Sequence, residues 1–171
     1  RILTREIPEY GLLKVREATL HNPGEYPHLS STLYISGSNS YFNIERFEEL
    51  VEVVQKPWSN SLLYTLRNGG EYVVGPIARF NNYAFHLHGE TRDLLKRYDW
   101  FRELKYISQS IVARIAEIHD ALMRIRDYLS NYRVLNTSNN INRGFEKIER
   151  CIACIEAPRG ILYHRYDVDV K

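Results

Sequence analysis

Cysteine is scarce in this chain: its 171 residues hold two, Cys151 and Cys154. That is far below the density of a disulfide-stapled secreted scaffold, and it points to a reducing compartment. Charge of one sign is missing as well. The 23 basic and 21 acidic side chains leave a formal +2, and no run of like charge marks a basic arm, so nucleic acid is not an expected partner. Long hydrophobic runs are absent too. No stretch approaches the roughly 18–20 uninterrupted apolar residues of a bilayer span, and the opening RILTREIPEYG has no signal-peptide core. These absences describe a soluble, cytoplasmic chain without a membrane span. Internal repeats and low-complexity tracts are also lacking.

What remains is ordinary globular composition, 44% hydrophobic and 26% charged, enough for one modest core and a single domain. Thirteen tyrosines and six phenylalanines are many for this length. Aromatic bodies with a polar tip suit surfaces buried against another segment or subunit.

Over residues 1–40 the stretches LLKVREATL and TLYISGS alternate in polarity around the turn-rich HNPGEYPHLSS, which suggests irregular or β structure. Asn43 is a plausible N-cap, and Ile44, Phe47, Leu50, Val51 and Val54 follow at helical spacing, so a helix is expected over 43–56, stopped by Pro57. Residues 61–81 read as a hairpin about Asn68-Gly69-Gly70. The most periodic segment is 98–133, where Leu104, Ile107, Ile111, Ile115, Ile118, Leu122, Ile125 and Leu129 recur at steps of three and four. A helix of that length measures on the order of 50 Å and needs neighbours to cover its seam. A polar loop, NTSNNINRG, follows it. The expected fold class is therefore α+β and predominantly helical: a long helix of a central bundle plus a small β-hairpin region, together a partial domain.

The ending carries the most specific signal. Glu156-Ala157-Pro158-Arg159-Gly160, with His164 four residues after the glycine and Tyr166 two beyond it, resembles the E-x-P-R-G signature of nickel-iron hydrogenase large subunits. Tyr72-Val73-Val74-Gly75-Pro76-Ile77-Ala78-Arg79-Phe80-Asn81 is similar to a second stretch of that family, Y-x-V-G-P-L-A-R-x-N. The electron-entry subunit of respiratory complex I also keeps a P-R-G loop, but it usually lacks the histidine supplied here by His164. The style of the second stretch is closest to the cytoplasmic groups of hydrogenases. The resemblance covers roughly the last hundred residues.

That resemblance implies a subunit that oxidises dihydrogen reversibly at a nickel-iron centre. Its partners would be an iron-sulfur small subunit and, beyond it, nicotinamide- or deazaflavin-linked electron-transfer subunits. In the family the arginine at the position of Arg159 overhangs the open side of the metals, where a fixed fork of donors can orient and stabilise charge. Pro158 would fix the approach of the loop and Gly160 the close turn after it, while Glu156 and His164 would support the site without binding metal.

Other readings stand beside this one. Pro-Arg-Gly-x-x-x-His alone is a turn, and Arg79 is either a salt-bridged surface residue or a functional one. His86-Leu87-His88 lacks a third ligand, and His119 reads as packed or solvated. Cys151-x-x-Cys154 is either a pair of small packed residues near the site or a weak pair of candidate metal ligands, since neither family setting for the metal-binding thiolates surrounds it. The four thiolates that would hold nickel and iron are missing, so this chain alone is expected to carry no cluster. A fragment of a longer large subunit is the first expectation, given the lack of an initiator methionine and the ending at Asp167-Val168-Asp169-Val170-Lys171. A metal-free scaffold or assembly paralogue is the second.

Overall fold

The computed structural model describes residues 6–37, 40–67, 70–132 and 150–168. Asn68 and Gly69 of the expected turn, the NTSNNINRG loop and the last three residues lie outside them. Three of the strands form an antiparallel run: β1 (Arg16–Leu20), β2 (Thr32–Ile35) and β3 (Ser40–Asn43). A fourth, β6 (Tyr72–Val73), joins the free edge of β1 in parallel, giving the order β3-β2-β1-β6. Two further hairpins are β4 (Val51–Gln55) with β5 (Leu62–Leu66), and β7 (Arg150–Ala157) with β8 (Gly160–Asp167).

The described α-helices are α1 (Phe47–Leu50), α2 (Pro76–Tyr83), α3 (Gly89–Arg97) and α4 (Ser110–Ser130). Strands and α-helices thus hold about equal numbers of residues, and the expectation of a predominantly helical chain built on a long central-bundle helix is overturned. This is a mixed α+β fold with one four-stranded sheet and two hairpins among the described residues. No helix among them is long and apolar enough to cross a membrane.

Three element assignments change with it. The expected 43–56 helix is only a 3-10 turn (Ile44–Arg46) and the single turn α1, after which Val51–Gln55 extends as β4. Asn43 does cap the turn, its Oδ1 accepting the Glu45 N–H at 2.9 Å. The valines that looked helical sit in a ladder with β5, Val51 opposite Leu66 and Val53 opposite Tyr64, and a short apolar run cannot by itself choose between the two periods. The 61–81 hairpin is likewise replaced. Strand β5 pairs back to β4, β6 pairs with β1, and Pro76 opens α2 at a position where its missing N–H costs nothing.

The 98–133 helix shortens to Ser110–Ser130 at its described end. Ahead of it, Asn81 holds the extended stretch around Leu104 at both backbone groups. Its Oδ1 accepts the Leu104 N–H at 2.8 Å, and its Nδ2 donates to the Leu104 carbonyl at 3.0 Å. Leu104 is buried there beside Phe80, Trp100 and Val112, in a core shared by α2, α3 and α4. A second core lies beneath the sheet, where Leu20, Leu33, Ile35, Val51, Leu66 and Cys154 meet.

Candidate functional site

The two sequence segments that resemble hydrogenase stretches are in contact. Gly75, at φ +89°, lies so close to the β7–β8 turn that a Cβ there would stand 2.6 Å from the Arg159 carbonyl oxygen. Gly160, at φ +150°, lies so close to the residue after β6 that its Cβ would meet Val74 Cγ2 at 2.5 Å. Both positions need glycine twice over, for the backbone angle and for the approach. Four residues beyond Gly75, one turn into α2, Arg79 is 3% exposed. Its Nε and Nη2 donate to the two oxygens of Glu117 on α4, at 2.6 and 2.9 Å. Its Nη1 donates to Glu156 Oε2 at 2.8 Å and to the Ala157 carbonyl at 3.0 Å.

Glu156 is closed on its other side by the Leu20 N–H, which donates to Oε1 at 2.7 Å, and Tyr26 Oη donates to Glu117 Oε1 at 2.7 Å. Burial raises the Glu156 carboxyl above its ordinary range, with the Leu20 N–H and Arg79 opposing the rise. For Arg79, burial alone would lower the pKa, but Glu117 and Glu156 together outweigh it and hold the guanidinium charged. Burial, followed by the Glu117 charge, pushes the Tyr26 phenol well up. One cation serves two carboxylates, so loss of Arg79 would leave both without their partner.

The expected site residues distribute around this cluster. Glu156 is inside it, with 1% of its side chain exposed. Pro158 is exposed on the rim of a groove of about 530 Å³ that Tyr26, Arg79, Glu117, Ile118 and Ile125 also line. Arg159 sits at the tip of the β7–β8 turn, exposed, with no hydrogen bond or ion pair from its side chain among the described residues. His164 is on the outward face of β8, stacked on Tyr166 with Nδ1 2.9 Å from the Tyr166 hydroxyl.

Cys151 and Cys154 share β7 but not a face, because side chains three apart on a strand point to opposite sides. Cys151 is exposed beside Tyr166 on the partner strand, whereas Cys154 is 1% exposed in the core under the sheet. Burial, then the Glu156 charge, pushes the Cys154 thiol up to about 11. Their thiols therefore do not converge on one point: Cys154 is packed in the core and Cys151 faces solvent. No group of three or more His, Cys, Asp or Glu suited to a metal occurs among the described residues.

The two histidines of His86-Leu87-His88 are not on a strand. His86 ends a 3-10 turn and His88 caps α3, its Nε2 2.9 Å from Asp127 Oδ2. His119 meets the Thr91 hydroxyl at 2.9 Å. Sequence reasoning missed Glu117 and Tyr26, which stand 38 and 53 positions from Arg79 in the chain. A carboxylate among the apolar residues of α4 was the one signal available. Among known proteins, no family model matches the chain and no curated protein matches it.

Proposed function

We propose that this chain forms part of the catalytic large subunit of a nickel-iron hydrogenase of the cytoplasmic type, with Arg159 as its functional group. One observation carries the reading. The two segments similar to that family, some eighty residues apart, interlock through Gly75 and Gly160, and the exposed Arg159 guanidinium at the tip of the turn has no partner among the described residues. A planar cation held there suits a small, charge-bearing ligand on the open side of the turn. An iron-sulfur small subunit would take the electrons and pass them to a soluble acceptor.

The described residues do not by themselves fit a nickel-iron centre. A binuclear site held by four thiolates cannot be built on two cysteines that face opposite sides of a strand, so the ligands must come from other polypeptide. The same geometry favours a second reading, a metal-free scaffold related to hydrogenase and complex I subunits.

Intact mass and nickel and iron content of the native gene product separate the two. A product much larger than 20.2 kDa carrying both metals and reducing a viologen with dihydrogen agrees with the first, and a metal-free product of about this size establishes the second. In the metal-bearing product, Arg159→Lys should lower dihydrogen turnover about 100-fold; unchanged turnover removes Arg159 from the role.

A further inference from the structure

We propose that Arg79 is a positioning residue, which fixes the direction in which the Pro158-Arg159 turn presents the Arg159 guanidinium. The turn is held on both sides by α2 and the two residues that lead into it. Before it, Arg79 Nη1 holds the Glu156 carboxylate and the Ala157 carbonyl. After it, the backbone of Arg159 and Gly160 is pressed against Gly75 and Val74. Gly75 and Arg79 are themselves tied, the Arg79 N–H donating to the Gly75 carbonyl at 3.0 Å. The anchors are thus the Val74-Gly75 segment that leads into α2 and Arg79 in its first turn, and two residues of loop span the gap between them.

The guanidinium matters because two separate elements must be reached at once. One edge, Nε and Nη2, takes both oxygens of Glu117 on α4 while Nη1 reaches β7. A lysine ammonium is a point charge with its donors on a single atom and cannot serve both. Glu117 thereby sets where Arg79 lies, and Arg79 sets where the turn lies. The chain of contacts runs from the middle of α4 to the exposed tip of the hairpin. A salt bridge that served stability alone would not need to include a main-chain carbonyl next to the presenting turn.

This inference rests on the reading of Arg159 as the functional group, so its test carries two separable readouts on the complete native gene product. Amide hydrogen exchange resolved to residues 157–161 reports on the turn, and dihydrogen turnover reports on the function. Arg79→Lys should speed exchange across 157–161 about tenfold while leaving β1–β3 protected, and turnover should fall through kcat. Exchange at 157–161 equal to that of the parent protein, with the sheet intact, overturns the positioning role. Should Arg79→Lys fail to fold, Glu117→Gln replaces it, since that change weakens one partner and leaves Arg79 on Glu156; faster exchange at the turn then supports the role and parental exchange overturns it. If the parent protein turns over no dihydrogen, the hydrogenase reading fails and the exchange result still decides the positioning.

Discussion

On the inner side of α4, Val112, Ala113 and Ala116 are exposed by 1% or less, whereas around the same helix Ile118, Leu122, Ile125 and Leu129 are each more than half exposed. The small residues face α2 and α3, where two helices can approach only if little stands between them, and where Glu117 reaches Arg79. The large aliphatics, at the heptad spacing of a seam, stay largely open to solvent, Ile118 and Ile125 along the groove that Tyr26 and Pro158 also line. Helix packing here follows size and polar pairing more than hydrophobicity. The most apolar stripe of a helix is thus not a guide to which side its own fold uses. A seam of this kind suits another helix in knobs-into-holes contact.

The comparison can be broken most decisively at the inner side. Arg79→Ala leaves the buried Glu156 and the partly exposed Glu117 carboxylates without their cation and should cost about 3–5 kcal/mol, read as a drop in denaturant midpoint; a loss below about 1 kcal/mol would mean the cluster is solvated after all. Next comes the interlock. Gly75→Ala forces an alanine to φ +89° and should cost about 1–3 kcal/mol from the backbone alone, before the clash with the Arg159 carbonyl is relieved; an unchanged melting temperature would refute the close approach.

Outer-face changes should do far less to folding. Ile125→Ser should move stability by within about 0.5 kcal/mol yet reduce self-association and binding of a hydrophobic dye; a large destabilisation would show that something already covers the seam.

The smallest effect near neutral pH concerns the two thiols. Peptide-resolved alkylation at pH 8 should label Cys151 and spare Cys154. The Cys154 thiol rises from 9.0 to about 11 on folding, so its contribution is fully present below pH 9 and is lost as the pH climbs through 11. Cys154→Ala should flatten that part of the stability curve, and equal labelling of both cysteines would contradict the buried position.

Much of the candidate site was legible because its parts are local. Proline, arginine and glycine in sequence specify a tight turn with an exposed cation, whereas Gly75-Pro76, inside the expected 61–81 hairpin, opens α2 instead. The fold was less legible. Val51 and Val54 satisfy a helical spacing and a strand equally well, and it was the ladder to Leu62–Leu66 that decided. Asn81 could not announce that it would hold Leu104 extended and so delay α4. Cys151 and Cys154 read as a pair until the strand put them on opposite faces.

By itself the sequence determined the turn chemistry of 156–160, the aliphatic seam of α4 and the near-balance of charge, since these depend on residue type and short spacing alone. Only the tertiary structure decided that Arg79 is buried between Glu117 and Glu156, that Gly75 and Gly160 meet from 85 positions apart, and that the seam stays exposed. Each of those is a contact between elements distant in the chain, made by closing long loops and by exclusion of water from a shared interior, and no local pattern encodes its partner.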